Sequence, residues 1–125
     1  MSPRPWRLIS SHVERSFPIF NLIIDRAKSP RTHQVHDFYV LKSNDWVNVI
    51  PITRNRDVVL IRQYRHGTRD VTLEIPGGII EENDSPEGAA RRELLEETGY
   101  SDSGMIQLGL VHPNPEISEA LGPHR

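Results

Sequence analysis

The chain has 125 residues, 36% of them hydrophobic and 26% charged, with a formal net charge of −2. That size suits one domain with a single core rather than two, and the near-neutral balance excludes a global electrostatic pull toward nucleic acid or a membrane surface. Cysteine is absent, which excludes a disulfide framework, a thiolate zinc site and a cysteine nucleophile. The opening MSPRPWRLIS has no apolar segment of signal-peptide length and no run reaches the length of a membrane span, so a cytoplasmic protein is expected. Charge is unevenly spread: residues 1–70 carry 12 Lys or Arg against 6 Asp or Glu, and residues 71–125 carry 3 against 11. A basic half that meets an anionic substrate and an acidic half that holds cations would explain the split, as would a plain difference in surface composition.

In chain order, WRLISSHVERSFPIFNLIID predicts two strands, over 6–14 and 19–26, with Pro18 at the turn. Residues 1–34 therefore read as an N-terminal antiparallel β element, with AKSPRTHQ as a polar loop. β-Branched and aromatic residues on both sides of SND predict a hairpin across residues 36–53. After a turn at RNRD, the run VVLIRQ predicts a strand of about six residues, and VTLEIP a short strand running into Gly77 and Gly78. Ser85 suits an N-cap, Pro86 the first helical position and Gly99 the C-terminal stop, so a helix fills the interval. MIQLGLV predicts one more strand, HPNP a proline-interrupted loop, and the closing EISEALGPHR has no strand pattern. Several strands before a single helix favour an α+β class over a doubly wound one.

The predicted helix carries Glu93, Glu96 and Glu97 within five residues. At about 100° per residue all three fall on one face, shared with Ala89 and Ala90, while Leu94 and Leu95 point elsewhere. Like charges at i,i+4, as in Glu93 and Glu97, destabilise a helix by a few tenths of a kcal/mol. Carboxylates that hold a hard divalent cation offset such repulsion; a solvated helix face is the competing explanation. Arg92 and Glu96, also at i,i+4, are placed for a surface ion pair. Arg65 sits at a strand end in QYR, where its guanidinium fork suits phosphate oxygens or simply meets water. Glu74 is an acid inside an apolar run, either at a site or on the wet face of a half-exposed strand.

The spacing of Gly78, Arg92, Glu93, Leu94, Glu96, Glu97, Gly99 and Tyr100 resembles the Nudix box, the signature of the Nudix hydrolases, at eight of nine positions over 23 residues. The ninth, normally Glu, is Asp84, which keeps the charge and shortens the reach; in the family this carboxylate supports the loop. QYR ahead of LEIPGG, and Pro115 fifteen residues beyond Tyr100, are similar to the ADP-ribose pyrophosphatases of that family. The resemblance implies a Nudix fold over residues 35–125, a mixed curved sheet with the box helix packed on it. Related chains continue with a further strand, a loop bearing another glutamate and a terminal helix, so this domain is expected to be incomplete at its C-terminus, with an open sheet edge.

By the same resemblance, the reaction is hydrolysis of the pyrophosphate bond in a nucleoside diphosphate derivative, ADP-ribose giving AMP and ribose 5-phosphate being the first candidate. The cofactor is Mg²⁺, with Mn²⁺ as an alternative. Glu93 and Glu97 would be the main metal ligands, Glu96 a further ligand or a base, and the Gly77 carbonyl part of the metal shell. Arg92 would orient a neighbouring glutamate, while Arg65, Glu74 and Pro115 would contact substrate. In the C-terminal tail, Glu116 and Glu119 are the acids left to serve as a base from that side. Trp46 and Phe38 are read as core residues before adenine-stacking ones. The N-terminal element implies a homodimer, and neither nucleic acid nor membrane is an expected partner. A nucleotide-binding module without catalysis, or a fragment that does not fold alone, are the alternatives.

Overall fold

The computed structural model describes residues 2–119, and their backbone forms two compact units: residues up to Asn44 together with those from Leu110, and Asp45–Gly109. No helix among the described residues is long and apolar enough to cross a membrane.

The first unit is a four-stranded sheet in the order β1-β2-β3-β8, from β1 (Arg7–Ser16), β2 (Asn21–Lys28), β3 (Val35–Lys42) and β8 (Ser118–Glu119). β2 is central and carries the buried side chains, Ile23 and Ala27, whereas β1 is exposed along its whole length. Two register shifts interrupt the β1–β2 ladder, between Leu8 and Ser10 and between Val13 and Arg15, the kind of irregularity that bends and twists a strand. β3 pairs with β2 over all eight residues, from Lys42 opposite Asn21 to Val35 opposite Lys28. A division at residues 34 and 35 would thus cut through a continuous sheet. β8 runs parallel to β3, with Ser118 opposite Leu41, so the tail holds a short strand that its sequence pattern did not announce.

The second unit contains β4 (Trp46–Asn48), β5 (Ile61–Arg65), β6 (Asp70–Glu74), β7 (Gly77–Ile79) and α1 (Pro86–Thr98). β5 and β6 form a hairpin in which Gln63 faces Thr72 and Arg65 faces Asp70, turning through Arg69 in the left-handed region at φ 57°. β4 pairs antiparallel with β7, Trp46 opposite Ile79 and Asn48 opposite Gly77. α1 packs on β7 and β4 through the buried Ala89 and Leu94, with Pro76 buried close by in sequence to β7. The helix is capped as its sequence predicts: Ser85 Oγ accepts from the Gly88 amide at 3.0 Å. Gly99 adopts φ 75° and donates its N–H to the Leu95 carbonyl, a conformation open to glycine at little steric cost.

Three predicted elements differ. The hairpin across 36–53 does not form, because the two arms of SND find separate partners, β3 on β2 and β4 on β7. The strand after RNRD starts at Ile61 rather than at Val58, which makes a single isolated bridge to Ile52. MIQLGLV forms no strand. Ile106, Leu108 and Val111 are exposed there, and the segment pairs with no strand among the described residues, an override of local β-propensity by context. Among the described residues the strands form the four-stranded sheet and two two-stranded ladders, with parallel pairing at β3–β8. The α+β class holds.

Candidate active site

The close approach of α1 to β7 is made by glycine. A Cβ at Gly78 would collide with the carboxyl of Glu93, and a Cβ at Gly77 would collide with the Val47 carbonyl and come 2.8 Å from Asn48 Oδ1. Into that space Glu97 sends Oε2, which accepts the Gly77 N–H at 3.1 Å. Glu93 is largely shielded, its side chain 13% exposed, and its Oε1 accepts from Arg92 Nη1 at 2.8 Å. Both carboxylates therefore sit against the Gly77–Gly78 backbone, one helical turn apart.

Arg92 is the hub of this corner. Its Nη2 donates to Asp84 Oδ2 at 2.8 Å and to the Ile79 carbonyl at 3.2 Å, tying the loop before α1 to β7. Its guanidinium is held above its ordinary pKa, chiefly by the hydrogen bond to Asp84. Asp84, despite its shorter side chain, thus reaches Arg92 from the loop before α1. The i,i+4 partner Glu96 is 3.9 Å from Arg92 Nη1 and its side chain is 60% exposed, so Arg92 belongs to Asp84 and Glu93 before Glu96. The three glutamates share a helix face, but Glu96 stands away from the glycine backbone, and no three-acid cluster of metal-ligating geometry forms among the described residues.

A second group lies on the β5–β6 hairpin. Arg65 donates through Nε to Glu74 Oε1 at 2.8 Å and through Nη2 to Oε2 at 2.5 Å, a two-pronged pair of the strong kind. Thr72 donates to the same carboxylate at 2.5 Å. The Arg65 guanidinium also lies 5.7 Å from the centre of the Trp46 ring, within cation–π range, and Glu97 adds to the field that raises its pKa, behind the Glu74 bond. The hydrogen bond from Arg65, then that from Thr72, hold the Glu74 carboxyl at about 2 against an ordinary 4.5. A depressed folded-state pKa contributes stability that is present above the ordinary value and is lost as pH falls through the folded one. In urea melts, the parent should lose stability more steeply between about pH 4.5 and pH 2 than Glu74→Gln; parallel acid limbs would remove the pair from this role.

Thr72 carries a signal in the sequence: in VTLE it stands two residues before Glu74, on the same strand face. Trp46 is 47% exposed and Phe38 41%, so neither is the core residue that composition suggested. Trp46 lies under Arg65 in the second unit, whereas Phe38 packs edge-on against Trp6 at 5.1 Å in the first. Pro115 and Glu116 are exposed residues of the first unit, and Glu119 contributes backbone to β8. The structure therefore gathers Gly77, Gly78, Asp84, Arg92, Glu93 and Glu97 at one corner, and pairs Arg65 with Glu74 on the hairpin.

The donor set at the glycine corner fits a hard divalent cation. Glu93 Oε2 and Glu97 Oε1 have no protein hydrogen-bond partner among the described residues, and carboxylate oxygens are what Mg²⁺ or Mn²⁺ takes, with water and substrate phosphate completing the shell.

Comparison with known proteins places these features in context. The model of the NUDIX domain matches residues 42–123. An ADP-sugar pyrophosphatase of Mus musculus is 48% identical over 63 residues, covering 47% of this chain and 29% of that protein. An ADP-ribose pyrophosphatase of Bacillus subtilis is 28% identical over 82 residues, covering 66% of this chain and 44% of that protein. A crystal structure of an ADP compounds hydrolase superposes with a TM-score of 0.81 at 22% identity, over 94% of this chain and 64% of that one. The chain thus spans less than half the length of these two curated relatives.

Proposed function

This chain belongs to the Nudix family, and we propose that it hydrolyses the pyrophosphate bond of a nucleoside diphosphate derivative, with ADP-ribose, giving AMP and ribose 5-phosphate, as the preferred substrate. The observation that carries the reading is the pair Glu93 and Glu97 seated on the Gly77–Gly78 backbone with one carboxylate oxygen each left over. The ADP-ribose and ADP-sugar pyrophosphatases among the relatives support the substrate class.

In this reading Glu93 and Glu97, with the Gly77 carbonyl, hold Mg²⁺ or Mn²⁺, which when bound supplies positive charge to the pyrophosphate. Arg92 fixes Glu93 by donating to Oε1, and the Gly77 N–H fixes Glu97. Both carboxylates are then pre-oriented, so little reorganisation is needed as charge develops. Arg65, 5.7 Å from the centre of the Trp46 ring and locked by Glu74, which Thr72 holds in turn, offers a guanidinium to a phosphate oxygen, with Glu74 a polar group near the same ligand. Glu96, exposed and only loosely held, accepts the proton of the attacking water.

Purified protein is mixed with ADP-ribose and Mg²⁺, and a phosphomonoesterase then releases phosphate from the products but not from the substrate. Phosphate that appears with Mg²⁺ and disappears with a chelator is the expected result. ADP-ribose binding by calorimetry without Mg²⁺-dependent phosphate would replace hydrolysis by a nucleotide-binding role. A homodimer through the N-terminal sheet belongs to the same proposal: Trp6, Leu8, Ile9 and Val13 are exposed on and beside β1, and such apolar groups favour burial against a partner. Light scattering coupled to size exclusion would show twice the chain mass; a monomer at micromolar concentration would refute it.

A further inference from the structure

At one end of the N-terminal sheet, Arg7 and Lys28 stand directly opposite each other on β1 and β2. Like charges in that position repel at cross-strand distance. Strand alternation puts both on the face opposite Leu8 and Ala27, which with Trp6, Asp25 and Phe38 line an aromatic hollow. On their own face Arg7 and Lys28 line a second hollow, of about 270 Å³, with Pro5, Ser29, Pro30 and His33. Among the described residues no carboxylate pairs with Arg7, Lys28 or His33, whereas Arg26 is 3.6 Å from Asp37. The sheet therefore supplies a counter-charge for Arg26 and none for the two cations at the hollow.

The turn after β2 shapes the rest. Ser29 is buried, 5% exposed, and its Oγ accepts from the amides of Arg31 and Thr32, both at 3.2 Å. A hydroxyl still has one proton to donate after accepting twice, and that proton has no acceptor among the described residues. His33 N–H donates to the Ser29 carbonyl at 3.0 Å and its backbone adopts φ 62°, an uncommon conformation outside glycine, and the residue lines the hollow. Two prolines make up further wall.

We propose that this hollow is an anion site that takes a phosphate group, with Arg7 and Lys28 as charged donors, Ser29 as a hydroxyl donor and His33 at the rim. A doubly charged oxyanion would turn the Arg7–Lys28 repulsion into a bridge and give the buried Ser29 proton an acceptor. Solvated side chains alone would leave Lys28 half-buried beside a like charge. The site lies wholly within the N-terminal sheet unit.

The test is residue-resolved NMR of the isotope-labelled full chain, titrated with inorganic phosphate and, at matched ionic strength, with sodium chloride. Saturable shifts of the Arg7, Lys28, Ser29 and His33 amides with phosphate alone are expected. Arg7→Gln and Lys28→Gln, whose spectra also report their folding, should each weaken the affinity about tenfold, the loss of one charge-assisted contact. Glycerol 2-phosphate forms a second arm. Equal shifts there assign the site to any carried phosphate group, and shifts with inorganic phosphate alone assign it to the free anion. The same shifts with chloride, unchanged titrations in both variants, or phosphate shifts confined to residues around Arg65 and Gly77 would overturn the site. Metal and turnover play no part, so the outcome is separate from that of the ADP-ribose assay.

Discussion

Replacing Glu97 with Gln is expected to reduce Mg²⁺-dependent ADP-ribose hydrolysis on the order of 10³-fold, the scale on which loss of a preorganised electrostatic group acts. The substitution is isosteric, and the amide oxygen can still accept the Gly77 N–H that Glu97 Oε2 now accepts at 3.1 Å. Local structure should therefore persist while the cation loses a charged ligand. Calorimetric Mg²⁺ titration and single-turnover hydrolysis check the two halves of that statement, and a variant as fast as the parent would take Glu97 out of the metal role. Glu93→Gln should cost similar activity and more stability, because its Oε1 is also the partner of Arg92 at 2.8 Å, and a half-buried guanidinium would lose part of its counter-charge.

Gly77→Ala and Gly78→Ala should separate stability from metal binding, although the residues are adjacent. At Gly77 the new methyl would meet the Val47 backbone oxygen across the β4–β7 ladder and lie 2.8 Å from Asn48 Oδ1. Backbone cannot swing aside, so overpacking of about 1–3 kcal/mol is expected, read as a fall in Tm of roughly 5–15 °C. At Gly78 the obstacle is the end of the Glu93 side chain, which can rotate away. There the fold should lose less than at Gly77, the cost being the loosened Arg92 contact, but the displaced carboxylate should weaken Mg²⁺ affinity about 10–100-fold, as misplacement around a metal generally does. Circular dichroism melts and Mg²⁺ titration of both variants provide the four numbers. Equal effects on both readouts would show that the two glycines serve one structural purpose.

The helix and its site were legible because their signals are local. Ser85 and Gly99 delimit α1 through hydrogen bonds that span three or four residues, and Pro86 through its fixed φ at the first turn; the register of Gly78, Arg92, Glu93 and Glu97 carries the family resemblance without knowledge of any other segment. β1 and β2 were legible for the same reason, since they form a hairpin. The strands on either side of SND were not: β4 pairs with β7 some thirty residues on, and β3 with the preceding strand. Local composition is silent about which of two available edges a strand will choose.

Sequence by itself therefore determined the α+β class, the Nudix membership and the helix face on which the proposed metal-binding carboxylates stand, because helix caps, turn glycines and a spaced signature act over short separations. Tertiary structure alone decided how those carboxylates divide their labour. Glu93, Glu96 and Glu97 are equivalent on a helical wheel, yet Glu93 and Glu97 are drawn onto the Gly77–Gly78 backbone and Glu96 is left to solvent. It also decided that Arg92 spans Asp84 and Glu93, that Thr72 completes the Arg65–Glu74 pair, and that Arg7 and Lys28 meet across a ladder. Each of these depends on which backbone comes to lie against a given side chain, and that is settled by long-range packing, where the strength and direction of a hydrogen bond or ion pair are set by neighbours distant in sequence.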